Sequence, residues 1–342
     1  MCGMGELSLI RRFRERAPAH PWLKVGPGQD CAILDWPARR DLAFKIDQVV
    51  EGTHFLLRGP EAAAPYQVGW KAMAKACSDI AATGFWPVAA TVAVNLRRGT
   101  DEKLALEVYE GLIACCKRFS FALAGGDVST SRHGLSVVVS LLGEGPQGGA
   151  WLRSGAEPGD ALLVTGSLGG SRRTGKHLDF VPRLEEARMV RRQLGKSVHA
   201  CIDITDGLSR DLRHICDESC CGAVVLEDRI PLTDSTTFPQ NWKARGARTS
   251  AARKKCQRIG PNTKVQCNRN TVVPSMALAD GEDFELLFAV EPKAAEKLLL
   301  HWRRPVPLTR IGCIRPRKEG CILIATDGTR NAMPNVGYEH RV

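Results

Sequence analysis

Hydrophobic positions along the chain switch repeatedly between strand-like alternation and helical spacing, which predicts an α/β or α+β fold. Residues 41–50 alternate, and Lys45 and Asp47 share the polar face of this predicted strand. Its apolar face carries Leu42, Phe44 and Ile46. The pattern therefore predicts a strand that presents Asp47 on its polar side, near its end.

Residues 68–84 instead carry apolar side chains at helical spacing, and Gly84 ends the pattern before Pro87. Asp79 comes seven residues after Ala72, so it falls on the apolar side of this predicted helix. A carboxylate that points toward a core needs a partner, and a metal ion is a good candidate.

The remaining pattern continues the alternation of strands and helices. Helices are predicted at 101–118 and 184–194, and strands at 87–95, 161–165, 200–204 and 284–290. Small apolar residues at 121–124 run into Gly125-Gly126-Asp127, which predicts a buried strand whose tip admits close approach to the backbone. Residues 136–142 predict another buried strand.

The glycine-rich stretch at 143–149 is the best candidate for a domain boundary. It divides the chain into an N-terminal domain, 1–148, and a C-terminal domain, 149–342, and two domains suit a chain of 342 residues. Residues 235–275 break the pattern because they are basic and lack periodicity. We expect an insertion there that is disordered or a surface loop.

The formal net charge of +11 does not predict nucleic-acid binding once it is located along the chain. Residues 235–279 hold nine Lys or Arg and no acid, and 11 − 9 leaves +2 for the rest. No apolar run approaches the ~18 residues of a membrane span, and no signal sequence begins the chain. We expect a cytoplasmic protein whose thirteen cysteines are reduced.

Carboxylates, nearly all of them close to glycine or other small residues, are the main chemical signal of the chain. They are Asp30, Asp47, Asp79, Asp127, the pair Asp203 and Asp206, and Glu282-Asp283. If the fold gathers them, so many like charges cannot stay ionised without cations. Magnesium takes oxygen ligands and bridges carboxylates to substrate phosphates, so the pattern indicates nucleotide phosphoryl chemistry.

Several motifs in one order along the chain carry a resemblance to a known family. They are Gly28-Gln29-Asp30-Cys31-Ala32, residues 47–55, Ser78-Asp79-Ile80-Ala81-Ala82, Gly125-Gly126-Asp127, residues 202–208 and residues 281–288. With them the chain resembles the thiamine-monophosphate kinase family. Its superfamily also includes aminoimidazole ribonucleotide synthetase, selenophosphate synthetase and the hydrogenase-maturation synthetase. The run 50–55, Val-Glu-Gly-Thr-His-Phe, looks like the kinase and not its relatives.

The resemblance implies a two-domain fold like that of aminoimidazole ribonucleotide synthetase, in a homodimer whose N-terminal sheets pack together. It implies magnesium-dependent, direct in-line transfer of the γ-phosphoryl group of ATP to thiamine monophosphate, the last step of thiamine diphosphate biosynthesis. Nucleotide and several Mg²⁺ ions would lie in a cleft between the domains. No membrane is involved, and nucleic acid is not an expected partner.

The site residues implied by the resemblance fall into three groups. The Mg²⁺ ligands would be Asp30, Asp47, Asp79, Asp127, Asp203 and Asp206, with Asp127 and Asp206 also catalytic. ATP would contact Tyr109, Gly126, Asp127, Arg153 and Thr205. Thiamine monophosphate would contact His54, Glu282 and Tyr338, and an aromatic ring and a carboxylate both suit a cationic thiazolium.

The chain departs from the family pattern just before Asp47, where two hydroxyl residues are usual and Lys45-Ile46 stand instead. The number of bound metals is therefore open, and Lys45 is expected to replace part of a cation's charge. Two alternatives also stay open at this point. One is another ATP-dependent synthetase of the superfamily, and the other is a catalytically degenerate binding protein that uses the basic insertion.

Overall fold

The computed structural model describes residues 23–25, 30–36, 39–234 and 272–339. The predicted α/β class is confirmed, with two mixed sheets and helices packed on them. The predicted insertion lies outside the described residues from 235 to 271. A helix begins at Pro274, close to the end expected for the insertion.

The first sheet has six strands in the order β1-β2-β3-β6-β4-β5. The strands are β1 Leu23–Val25, β2 Ala32–Trp36, β3 Arg40–Val50, β4 Trp86–Arg97, β5 Ala122–Ser131 and β6 Ser136–Pro146. Two helices accompany it, α1 Pro65–Ala82 and α2 Glu102–Phe119. Asp101 caps α2 by accepting a hydrogen bond from Lys103 N, which satisfies one of the free amides of the first turn.

Helix α1 packs against both sheets and is buried along nearly its whole length. Its crossing with α2 depends on two glycines that bring the backbones together. A Cβ atom on Gly69 would lie 1.8 Å from Val108 O, and one on Gly111 would lie 2.0 Å from Tyr66 O. The close contact between these helices holds α1 in place between the sheets.

Strand β3 has its polar face, not its apolar face, toward the interior. Phe44 and Ile46 are 52% and 68% exposed, whereas the side chains of Lys45 and Asp47 are 20% and 11% exposed. A half-buried strand normally turns its hydrophobic side to the core. The reversal shows that the acidic side of this strand faces a binding cleft and that the other side of the sheet is open.

Strand β5 corrects the prediction of a buried strand at 121–124. It is the edge strand of the sheet, and most of its residues from Ala122 to Ser131 are exposed. Gly125, Gly126 and Asp127 lie within the strand and not at its tip. Strand β6 is buried on one face only, since its residues alternate between buried and half-buried.

The second sheet has seven strands in the order β13-β12-β9-β11-β7-β10-β8. The strands are β7 Ala161–Thr165, β8 Val198–Ile204, β9 Cys221–Leu226, β10 Glu285–Val290, β11 Leu308–Pro316, β12 Cys321–Ile324 and β13 Arg330–Ala332. Its helices are α3 Ser171–Thr174, α4 Lys176–Asp179, α5 Leu184–Leu194, α6 Leu208–Glu218, α7 Pro274–Ala279 and α8 Pro292–His301. The described helices include none long and apolar enough to cross a membrane.

The two halves meet around α1 and share a hydrophobic core. Arg191 on α5 donates to Gly84 O at 2.6 Å and to Thr83 O at 3.0 Å, just beyond the end of α1. The same guanidinium lies 4.4 Å from the ring centroid of Trp151. These contacts satisfy the carbonyls at the end of α1 and fix the angle between the sheets.

Candidate functional site

A cleft of about 620 Å³ lies between the two sheets, beside α1. Ten of the thirteen residues predicted for the site line it. They are Asp30, Asp47, His54, Asp79, Arg153, Asp203, Thr205, Asp206, Glu282 and Tyr338. Residues as far apart in sequence as Asp30 and Tyr338 therefore meet in one place.

Three elements carry the acids into the cleft. Asp47 comes from the inward face of β3, and Asp203 from the end of β8, next to β10 in the second sheet. Helix α1 supplies Asp79, which is buried as its helical position predicted. Lys71 and Lys75 precede it at four-residue intervals, so neighbouring turns of one helix face reach the cleft.

Asp30, Asp79 and Asp203 form a compact oxygen cluster, with ligand atoms within 4.8 Å of one another. Asp203 Oδ2 is buried and has no hydrogen-bond partner among the described residues. Burial, and then the charge of Asp30, raise the pKa of Asp203 to about 7. An all-oxygen set that includes an unsatisfied buried carboxylate oxygen fits a hard divalent cation such as Mg²⁺.

Cationic side chains pair with Asp30, Asp47 and Asp79. Arg153 Nε donates to Asp30 Oδ1 at 3.1 Å, and Lys75 Nζ lies 2.8 Å from Asp47 Oδ1. Lys45 Nζ lies 2.9 Å from Asp79 Oδ1 and 3.9 Å from Asp47 Oδ2. Burial alone would raise the pKa of Asp47, but Lys45 and Lys75 outweigh it and lower that pKa. Asp47 therefore stays ionised without a metal.

Two of the three residues predicted for the acceptor, His54 and Glu282, are joined by Lys71, a fully buried lysine. Its Nζ donates to His54 O at 2.7 Å and to Glu282 Oε1 at 2.6 Å. Arg172 Nε donates to the other oxygen, Glu282 Oε2, at 3.2 Å. Burial lowers the pKa of Lys71 to about 8, although Glu282 acts in the opposite direction. His54 and Glu282, 228 positions apart in sequence, thus share one ammonium.

The backbone around Glu282 is held in an uncommon conformation. Glu282 and Phe284 have φ of +66° and +52°, values that cost free energy for residues with side chains. Hydrogen bonds from Glu282 N to Thr205 O at 2.7 Å and from Phe284 N to Ile204 O at 2.8 Å keep it there. In this backbone conformation the Glu282 carboxylate meets Lys71, and the Glu282 backbone is held beside Thr205.

The tip of β8 is organised by Asp211, which sequence reasoning missed. Asp211 Oδ2 accepts hydrogen bonds from Thr205 N at 2.9 Å and Asp206 N at 3.0 Å. Asp206, Asp211 and His214 also bring ligand atoms within 4.8 Å of one another. The only sequence signal was an acid in the first turn of α6, which is typical of any helix start. Lys71 and Arg172 were missed as well, since partners so distant in sequence leave no local pattern.

Three predicted residues do not line the cleft. Tyr109 is 46% exposed on α2, and Gly126 and Asp127 lie on the exposed edge strand β5. Gly126 has a packing reason to be glycine, because a Cβ atom there would lie 2.3 Å from Val92 O. The proposed roles of these three residues stay predictions.

A second cavity of about 410 Å³ adjoins the cleft. The two share Thr53, His54, Arg172 and Arg173, and the second cavity extends along Phe55, Leu56 and Leu178. His177 is part of its lining, and burial lowers the pKa of His177 to about 4, so its imidazole is neutral at pH 7. The site thus combines a charged cleft with a less polar side chamber.

Comparisons with known proteins find relatives of this chain over nearly its whole length. A protein-family model described as AIR synthase related protein, N-terminal domain, matches residues 28–145. The thiamine-monophosphate kinase of Rhodopirellula baltica is 34% identical, over 98% of this chain and 97% of the relative. That of Escherichia coli strain K12 is 31% identical, over 98% of both. A solved structure described as AaThiL complexed with AMPPCP and TMP has the same fold, with a TM-score of 0.75, 24% identity, and coverage of 98% and 97%.

Proposed function

Because the chain belongs to the thiamine-monophosphate kinase family, we propose that it phosphorylates thiamine monophosphate with ATP to give thiamine diphosphate. A terminal phosphate oxygen of the acceptor attacks the γ-phosphorus, the bond to the bridging oxygen breaks, and ADP leaves. The observation that carries the proposal is Asp203 Oδ2, an unpaired buried oxygen within an acidic cleft that also holds cationic side chains.

Asp30, Asp79 and Asp203 are the residues that would hold Mg²⁺. Bound there, the ion supplies charge neutralisation for the β- and γ-phosphates. Arg153 and Lys75 line the same cleft and present further positive charge to the nucleotide. We assign Thr205 to the nucleotide and Asp206 to the phosphate side, in keeping with their place at the tip of β8. Catalysis then depends on positioning and charge, with no covalent intermediate on the protein.

The acceptor would lie at the end of the cleft marked by His54, Glu282 and Tyr338. Val50 N donates to His54 Nδ1 at 3.1 Å, so the proton of the neutral ring is on Nε2. Lys71 and Arg172 pair with the two oxygens of Glu282 and hold its carboxylate in place. The side chamber beside Phe55 and Leu178 suits the flat rings of the acceptor. The phosphate of the acceptor would then point back toward the magnesium ligands.

We further propose a homodimer, because Asp127 cannot reach the metal ligands of its own chain. Asp127 lies on β5 and Asp47 on β3, three strands apart in the sheet, so about 14 Å separates their backbones at ~4.8 Å per strand. Mg²⁺ takes its ligands at about 2 Å, too close for one ion to bridge that gap. The exposed Phe44 and Ile46 on the open face give a partner chain apolar surface to cover.

A complementation experiment tests this dimer. Asp127→Asn and Asp203→Asn chains, each inactive alone, are unfolded together and refolded. If Asp127 serves the partner's site, hybrid dimers keep one complete site. Activity should then return to about a quarter of wild type, since about half the dimers are hybrids. A mixture as inactive as its components contradicts the assignment, provided that sedimentation shows dimers.

The activity itself is tested by ATP consumption in the presence of Mg²⁺, with thiamine monophosphate compared with free thiamine. We expect turnover with the monophosphate only, and loss of turnover in Asp203→Asn. Conversion of thiamine but not its monophosphate would overturn the acceptor assignment. The proposal also includes a cytoplasmic location, where ATP is available.

A further inference from the structure

Two lysines, Lys45 and Lys75, lie among the carboxylates of the cleft. Lys45 Nζ lies 2.9 Å from Asp79 Oδ1 and 3.9 Å from Asp47 Oδ2, and its side chain is 20% exposed. Lys75 Nζ lies 2.8 Å from Asp47 Oδ1. Both oxygens of Asp47 and one oxygen of Asp79 therefore already face an ammonium group.

The positions of these ammonium groups distinguish two ends of the cleft, each with its own acidic side chains. At one end, Asp30, Asp79 and Asp203 gather around the buried Asp203 Oδ2, which has no hydrogen-bond partner among the described residues. At the other end, between Asp47 and Asp79, the ammonium of Lys45 already bridges the two carboxylates. At the first end Arg153 pairs with Asp30, but Asp203 Oδ2 has no cation or donor among the described residues, whereas the second end contains a cation that is covalently part of the chain.

We propose that the Lys45 ammonium takes the place of a divalent cation between Asp47 and Asp79, so that these two side chains share no metal ion of their own. The inference rests on the magnesium site proposed above. An ammonium carries one charge and donates hydrogen bonds, but it coordinates no phosphate oxygen or water as Mg²⁺ does. Lys45 therefore neutralises this end without an exchangeable ion, and divalent ions bind at the Asp203 end.

The test counts bound ions directly, with Mn²⁺ as the probe and free Mn²⁺ measured by electron paramagnetic resonance. Lys45→Thr removes the ammonium and adds a hydroxyl oxygen, whereas Lys45→Met removes the ammonium only. We expect Lys45→Thr to bind one more Mn²⁺ per chain than wild type, and Lys45→Met to gain the same site with weaker affinity. Lys24→Thr is the matched control, because it breaks a Lys–Asp pair of 3.0 Å with Asp41 on the same sheet, away from the cleft.

Equal Mn²⁺ counts in wild type and both folded Lys45 variants would overturn the proposal, as would a gain in Lys24→Thr. Thermal unfolding by circular dichroism establishes that each variant is folded. Adding Asp203→Asn to wild type and to Lys45→Thr distinguishes ions bound at the Asp203 end from ions bound between Asp47 and Asp79. It should remove Mn²⁺ from the wild-type background and leave one ion in the Lys45→Thr background.

No nucleotide or acceptor is present in these titrations. The ion count therefore tests the role of Lys45 whether or not thiamine monophosphate is the acceptor. If turnover is absent but Lys45→Thr gains an ion, the kinase proposal fails and the role of Lys45 holds. If turnover is present and no ion is gained, the reverse is true.

Discussion

Replacing Lys71 with methionine should weaken the fold and the acceptor end of the cleft together. Methionine fills most of the volume of lysine but carries no charge and donates no hydrogen bond. It leaves Glu282 Oε1 and His54 O without the donor that lies 2.6 and 2.7 Å away in the wild type. The change therefore removes an interaction without opening a cavity.

The expected loss of stability depends on how deeply each partner of the Lys71–Glu282 ion pair is buried. Removing one partner of a buried pair costs about 3–5 kcal/mol, because the other charge is left uncompensated. Glu282 keeps Arg172, and its side chain is 15% exposed, so Lys71→Met should cost about 3 kcal/mol. Glu282→Gln should cost more, about 4 kcal/mol, because it strands an ammonium that is fully buried.

Urea unfolding at pH 7 measures both variants and the double variant. Because each single change strands the group that the other removes, the double variant should be about 2 kcal/mol more stable than the sum of the single losses predicts. Lys71→Met should also raise KM for thiamine monophosphate more than it lowers kcat. A Lys71→Met protein within about 0.5 kcal/mol of wild type would refute the reasoning, because that is the usual range for surface changes.

Three further predictions concern packing, pH and the junction of the two halves. Gly111→Ala should lower the free energy of unfolding by at least about 3 kcal/mol in urea titrations, since its Cβ would lie 2.0 Å from Tyr66 O. Burial raises the pKa of Asp283 to about 7, so the folded state keeps a proton that the unfolded state loses near pH 4. As the pH rises from 4 to 7, the free energy of unfolding of wild type should therefore fall by about 4 kcal/mol relative to that of Asp283→Asn. Urea titrations at each pH measure this difference. Arg191→Lys should cost about 2 kcal/mol, measured the same way, because lysine cannot make both hydrogen bonds and the contact with Trp151.

Each of these has a control within the chain. Gly125→Ala should be tolerated, because a Cβ atom there meets nothing within 4 Å, and equal losses at both glycines would contradict the packing argument. Asp228→Asn, the matched change at an exposed acid, should alter the free energy of unfolding by no more than about 0.5 kcal/mol at any one pH. Arg192→Lys, on the exposed side of α5, should cost little, and a cost equal to that of Arg191→Lys would disprove the junction argument.

The sequence was sufficient wherever a local pattern and a site signal coincided. Asp79 was correctly predicted to face inward, because helical spacing determines the direction of a side chain. The direction of β3 was harder to predict, since alternation separates two faces without indicating which one is covered. Strand β5 was predicted to be buried because small apolar residues are common inside sheets, but sheet order depends on pairing between distant segments and made it an edge.

Contacts between distant segments also limited how much of the candidate site could be predicted from the sequence. Acids beside glycines were visible as motifs, whereas Lys71 and Arg172 matter through partners more than 100 residues away. Lys45 was noticed only because a resemblance made a hydroxyl expected. Its contact with Asp79 joins strand β3 to helix α1, and no spacing along the chain encodes it.

The regular spacing of Lys71, Lys75 and Asp79 on α1 has a consequence for substrate selection. Eight residues of α-helix span about 12 Å. This is the distance along the helix between the backbone of Lys71, beside the proposed acceptor end, and that of Asp79, at the proposed metal end. A packed helix does not stretch, so this separation is fixed. An acceptor must then span a set length to bring its phosphate to the nucleotide, and a molecule one phosphate shorter would bind without reaching it.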